Sequence, residues 1–218
     1  VEPAAYIFLS MAYRRTQAWA SAQENVLRAA ELDPDAPAVQ TELLSLSDAA
    51  LAQGQLDIAL TVYTRGAALA KSSNDLIGLG RAQLGLSRLH RRREAWPDAR
   101  REANNAAQAA RTRDDAIYAD AMFELGLASY KMGDVAPGIK GLTTSAALYE
   151  ALGRDRESAQ AYYQLALAAP EADARRKAIK KARAKLEALT ETLTDDDVKL
   201  QAALDDLEKT LPHLFGLG

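Results

Sequence analysis

Arg81, Arg88, Arg91, Arg92 and Arg93, followed by Arg100 and Arg101, form the sharpest cluster of chemically active side chains in this sequence. If the segment is helical, positions 81, 88 and 92 fall on one stripe. Planar guanidinium groups fanned along one wall bind carboxylates or phosphates through paired hydrogen bonds. The competing reading is a solvated helix face on which these arginines pair with Glu94, Asp98 and Glu102. The first reading predicts an anion-binding wall whose occupant is an acidic peptide, with binding that weakens as salt screens the charges.

A second basic run holds Arg175, Arg176, Lys177, Lys180, Lys181, Arg183 and Lys185, and an acidic stretch follows it from Glu187 to Glu208. Opposite signs on successive segments predict self-pairing, because the acidic stretch would repel the phosphates of nucleic acid or lipid. The formal net charge of -3 also argues against a general nucleic-acid binder.

The patterns that imitate catalysis lack essential parts. Gly133 to Lys140 resembles a phosphate loop, but the lysine is one place late and no Ser or Thr follows it. Gly78-Leu79-Gly80-Arg81 lacks the strand and third glycine of a dinucleotide site, and Gly85 to Leu89 lacks the second glycine of a nucleophile elbow. The chain has no cysteine, which excludes disulfides, thiolate metal sites and cysteine nucleophiles. Only His90 and His213 are available as imidazoles, and Asp195 to Asp197 lack the glycine and spacing of a calcium loop. The expectation is a protein without catalytic residue, cofactor or metal.

The elements that position these side chains follow from a repeat. Ala22, Ala59, Ala99, Gly138 and Ala178 recur about 37 to 40 residues apart, each some twelve or thirteen positions after one of Leu9, Leu46, Leu86, Leu125 and Leu165. The unit this predicts is a helix, a turn and a second helix crossing closely over the first at the small residue. Such a unit cannot bury its own apolar face and shares it with its neighbours, so the fold class is an all-α solenoid. Aromatics are only 6% of the chain, which suits closely packed helices better than sheets.

Tyr6, Leu9 and Tyr13 mark one face of the first helix, and Ala22, Val26 and Ala29 mark the second. Pro34 and Pro170 stop helices, Pro97 opens one, and Gly54, Gly133 and Gly153 mark turns. The helix carrying Ala178 continues through Ala182, Leu186, Leu189 and Leu193 and is predicted to be unusually long. Thr194 with Asp195, Asp196 and Asp197 starts another helix, whose Leu200, Leu204, Leu207 and Leu211 form the stripe of a cap. No equivalent cap precedes Tyr6. The predicted units run near 3–39, 40–79, 80–118, 119–158 and 159–193, with the capping helix and an apolar tail over 194–218.

This order of residues resembles the tetratricopeptide repeat over positions 3 to 193. The resemblance is carried by Tyr6, Leu9, Tyr13, Ala22, Ala29 and Pro34; by Leu46, Gly54, Ala59 and Tyr63; and by Leu125, Gly126, Gly133, Asp134 and Leu142. The spacing near 40 exceeds the family's usual 34, as in members with lengthened helices. His90 and Ser129 stand where an aromatic is common, and Gly138 replaces the crossing alanine. The resemblance implies a right-handed superhelix that binds a peptide or protein in a groove lined by the first helix of each unit. Its groove positions fall on Arg14, Asp48, Arg81, Leu84, Arg88 and Arg91, and then on Phe123, Leu127, Tyr130 and Tyr163. The family's carboxylate clamp is not matched, since Ile7 and Met11 occupy its places.

The function expected is a non-enzymatic scaffold or adaptor that binds a protein or an acidic peptide. The alternatives are a peptide-sensing regulatory module of a larger protein and a self-assembling structural protein, joined through the open first unit or the apolar tail from Leu211 to Gly218. No stretch is apolar for long enough to span a bilayer. Val1 is not an initiator, so processing or truncation upstream is expected. A cytoplasmic location is favoured, with an exported or lipid-anchored form left open. The alanine- and arginine-rich usage resembles that of bacterial proteins.

Overall fold

The turns between helices repeat one geometry. In a computed structural model that describes residues 2–189 and 192–211, Gly54, Gly133 and Gly153 have φ of 75°, 87° and 67°, and Gln17, Asn74 and Glu94 adopt φ of 58°, 57° and 56° at the same place in other turns. At each, the amide one residue further on donates to a carbonyl five residues back, from Ala18 to Tyr13 at 2.9 Å through to Arg154 and Tyr149 at 2.9 Å. This closes the helix end with a left-handed residue and reverses the chain within a few residues.

Among the described residues there are eleven helices and no strand. Contacts divide the chain into two units, Val1–Tyr118 and Ala119–Gly218. The first contains α1 (Pro3–Arg15), α2 (Trp19–Leu32), α3 (Pro37–Ala52), α4 (Leu56–Ser72), α5 (Leu76–Arg92) and α6 (Trp96–Ala110). The helix α7 (Asp115–Lys131) begins in the first unit and continues in the second, which also holds α8 (Val135–Ala151), α9 (Asp155–Ala168), α10 (Ala172–Glu187) and α11 (Asp195–Lys209). None of these helices is long and apolar enough to cross a membrane.

In the first unit α1 packs on α2 and α3, α2 on α3 and α4, and α3 on α4 and α5. Packing on the next helix and the next but one is the signature of stacked hairpins. Leu43 and Leu46 of α3 are fully buried with Ala22 and Val26 of α2, and Tyr63 of α4 is buried with Leu86 and Leu89 of α5. Neighbouring hairpins therefore share each core.

All five small residues of the repeat are buried. The residue after each repeat leucine, namely Ser10, Ser47, Ser87, Gly126 and Ala166, is buried as well. The Ser87 hydroxyl donates to the carbonyl of Ala99 at 2.9 Å, so the two small positions meet at the helix crossing. In the second unit the approach is backbone to backbone. A Cβ placed on Gly126 would lie 2.6 Å from the Leu142 nitrogen and 2.9 Å from the Gly138 oxygen.

Two expectations differ from the structure. The buried side of α1 is centred on Ser10, and Leu9 and Tyr13 face solvent because no hairpin packs on them. The helix α10 ends at Glu187 and, with 16 residues, is shorter than the 17 of α4, α5, α7 and α8. Beyond it, the Arg156 guanidinium donates to the Thr192 carbonyl at 2.9 Å. The helix α11 packs on α9 and α10 as a cap, with Leu204 fully buried. Thr194 and Asp197 cap α11 reciprocally, as the run of hydroxyl and carboxylates predicts. The tail from Pro212 to Gly218, including His213, lies outside the described residues.

Candidate functional site

The first helices of the hairpins carry the positions that the repeat register assigns to binding. On α1, the Arg14 guanidinium donates to both oxygens of Glu42 on α3, at 3.2 and 3.0 Å, and the Ser10 hydroxyl donates to the same carboxylate at 3.0 Å. Glu42 is buried, so the two-point contact ties α1 to α3.

Asp48 of α3 is exposed and accepts a hydrogen bond from the Tyr63 hydroxyl of α4. Burial pushes the Tyr63 phenol far above its usual range, and the charge and hydrogen bond of Asp48 push it in the same direction, partly offset by Arg88 and Arg92. Tyr63 is thus a fixed neutral donor. Its ring lies over Gly85, where a Cβ would come within 2.2 Å of a ring carbon. Glycine at 85 is what lets an aromatic from α4 reach across α5 and hold Asp48 beside the Arg88 stripe.

The arginine cluster divides by role. Arg92 donates to the Leu51 carbonyl near the end of α3, Arg93 pairs with Asp57 of α4 at 2.6 Å, and Arg101 pairs with Asp98 and with Glu102. These fasten helices or neutralise their own turn. Arg88 and Arg91 of α5 are half-buried, as is Arg100 on α6. Arg81 of α5 is exposed and makes no hydrogen bond or ion pair among the described residues, and Leu84 beside it is buried. The side chains of Asp48, Tyr63 and Arg88 are therefore gathered on one face, with Arg81 two turns from Arg88 on the same helix stripe.

In the second unit Phe123 and Tyr163 are half-buried against the core cluster, and Leu127 is buried. Tyr130 is half-buried and donates to the Leu167 carbonyl near the end of α9 at 3.0 Å. Another network was not legible in the sequence. The Tyr149 hydroxyl donates to Asp120 at 2.9 Å, Arg154 donates to the same oxygen at 2.8 Å, and the Arg154 guanidinium lies 4.9 Å from the centre of the Tyr149 ring. The i, i+3 spacing of Arg154 and Glu157, also paired at 2.7 Å, was the one local signal of it.

Much of the basic run on α10 is used within the unit. Arg183 pairs with Asp205 and Glu208 of α11, and Lys185 pairs with Asp155 of α9 at 3.0 Å. Lys181 donates to the Tyr162 hydroxyl at 2.8 Å. The opposite charges on successive helices do pair with each other.

No protein-family profile matches the sequence, and no curated protein matches it. Solved structures do. The MamA protein superposes with a TM-score of 0.63 at 19% identity, covering 88% of this chain and 96% of its own. The TPR-like repeats of a kinesin light chain from Podosopora anserina superpose with a TM-score of 0.56 at 16% identity, covering 87% and 96%. The fold is that of the tetratricopeptide-like repeats. A Rap protein complexed with Competence and Sporulation Factor also matches, with a TM-score of 0.57 at 15% identity, over 92% of this chain and 54% of that one. At such identities the likeness is one of fold. The long spacing of these tetratricopeptide-like units has a direct cause in helices of 17 residues at α4, α5, α7 and α8.

Proposed function

We propose that this chain is a protein- or peptide-binding module whose first unit receives an acidic segment on the face formed by α3 and α5. The observation that carries this reading is Arg81, an exposed guanidinium with no partner among the described residues on the stripe that also bears Arg88, while Arg92, Arg93 and Arg101 are engaged within the fold. Arg88 and Arg91 supply further positive charge to that face, and Asp48, Arg14 and buried Leu84 hold its framework. In the second unit Phe123, Tyr130 and Tyr163 expose part of an aromatic surface to which an apolar residue can anchor. Leu127 supports it from the core.

Tetratricopeptide-like folds are typically scaffolds that act by equilibrium binding, and the Rap structure holds a named factor on a related fold. A rigid array binds by contributing a preformed surface, with charge setting orientation and on-rate. The test is fluorescence anisotropy with labelled peptides of one length that carry Glu, Lys or neither between leucines. The Glu peptide is expected to bind best, to weaken at least tenfold between low and physiological salt, and to be lost on Arg81→Glu while Arg93→Glu changes little. Equal binding of the three peptides, or affinity unmoved by salt, would remove the acidic-segment reading.

A further inference from the structure

The face formed by α3 and α5 carries an exposed charge of each sign. Asp48 of α3 and Arg81 of α5 are both exposed, and neither makes an ion pair among the described residues. Asp48 accepts a hydrogen bond at Oδ1 from the Tyr63 hydroxyl, and among the described residues its Oδ2 accepts none. Tyr63 is 1% exposed and stays protonated because burial pushes its phenol upward, so it fixes the carboxylate without neutralising it.

The two charges stand at different levels. The helices α3 and α5 pack on each other and, with α4 between them in the chain, run in the same direction. Aligning their repeat leucines, Leu46 with Leu86, sets Asp48 level with Arg88 and Thr41 level with Arg81. Arg81 therefore lies about 10 Å nearer the helix starts than Asp48 does. With helix axes about 9 Å apart, the two charged positions are separated by roughly 14 Å along the diagonal. Ser45 and Thr41, one and two turns before Asp48 on its stripe, are small, which leaves room for a main chain to run from one level to the other.

We propose that the segment received on this face carries a cationic side chain as well as an acidic one, four residues apart in an extended chain, the acid pairing with Arg81 and the cation with Asp48. An extended chain advances about 3.3 Å per residue and returns a side chain to the same face at every second position, so four residues span roughly 13 Å with both charges toward the protein. The proposal rests on the acidic-segment reading and adds a selection by sign, since a segment acidic at both places sets a carboxylate against Asp48. Arg88 stands level with Asp48 and offsets part of its charge, so the discrimination is moderate.

Fluorescence anisotropy with leucine-flanked peptides of one length tests it. The mixed peptide has Glu and Lys four apart, made in both orders because charge alone does not fix the chain direction; a second peptide has Glu at both places, and a third has Glu and Lys adjacent. The better mixed peptide should bind about three- to tenfold more tightly than the double-Glu peptide. The adjacent pair should lose that advantage, because neighbouring side chains of an extended chain point to opposite faces. Asp48→Asn keeps an oxygen for the Tyr63 hydroxyl, so its helical circular dichroism should be unchanged while the preference for the mixed peptide falls close to one. A double-Glu peptide that binds as well as the mixed one, an adjacent pair equal to it, or a preference that survives Asp48→Asn would overturn the inference. If Arg81→Glu still abolishes binding in those cases, the acidic-segment reading stands; binding of every peptide unmoved by Arg81→Glu would remove both.

Discussion

Replacing glycine by alanine inside a helix ordinarily stabilises it by about 1 kcal/mol, because alanine has the better helix propensity. Two buried glycines of this protein should respond with opposite signs. At Gly66 in α4, the added Cβ would meet nothing nearer than the Leu43 Cβ at 3.8 Å, an ordinary contact. At Gly126 in α7, it would lie 2.6 Å from the Leu142 nitrogen, 2.9 Å from the Gly138 oxygen and 3.0 Å from the Gly141 carbonyl carbon. Those are backbone atoms of α8, so no side chain can swing aside and the helices must move apart by roughly an ångström to restore normal contact. Overpacking of this kind costs about 1 to 3 kcal/mol and more where the neighbour is rigid, which outweighs the propensity gain. Gly126→Ala is therefore expected to lose roughly 2 kcal/mol and Gly66→Ala to gain up to about 1 kcal/mol. Urea denaturation followed by circular dichroism reads both, with midpoints and slopes compared because repeat arrays can unfold in steps. A neutral or stabilised Gly126→Ala protein would refute the close crossing of α7 and α8.

Other substitutions probe different joints. Gly85→Ala drives a methyl into the Tyr63 ring, which is 1% exposed and fixed by Asp48, and should lower stability by about 2 kcal/mol in the same assay. Glu94→Gly relieves a left-handed residue at φ 56° at a cost of about 1 to 2 kcal/mol for a side chain there, set against about 0.5 to 1 for glycine's freedom when unfolded. A rise in Tm is the expected result, and a fall would mean the turn is not strained. Burial opposes ionisation of Asp197, but the Thr194 amide and hydroxyl and the Arg156 guanidinium outweigh it and hold the carboxyl below its usual range. Its stabilisation of α11 is then full above the unfolded pKa of about 3.9 and disappears as the pH falls through the lower folded value. Hydrogen exchange of α11 should accelerate on acidification in the wild type and change less in Asp197→Asn, and equal acid sensitivity of the two would contradict the assignment.

Periodicity made the hairpins and their crossing points legible because a helix contact line tolerates only small side chains, and small residues recurring about 40 apart can be read without coordinates. Gly54, Gly133 and Gly153 announced their turns for the same kind of reason, since a left-handed backbone favours glycine. Asn74 makes the same turn with asparagine's own tolerance of that backbone, whereas Gln17 and Glu94 make it with no such signal, because the flanking helices impose the conformation against local preference. The cap at Thr194 was legible as well, being built from residues three apart.

Beyond the pairing of the basic run on α10 with the acidic α11, long-range partners were not legible. The sequence showed a crowd of arginines but could not sort Arg93, which reaches Asp57 across 36 residues, from Arg81, which reaches nothing described. It marked Leu9 as core by its spacing, yet burial needs a second surface, and that surface is supplied by another hairpin rather than by the helix itself. Local order along the chain thus determined the repeating hairpin, because helix periodicity and turn chemistry act over a few residues. Which charges fasten the fold and which stay exposed was decided only when distant helices stacked.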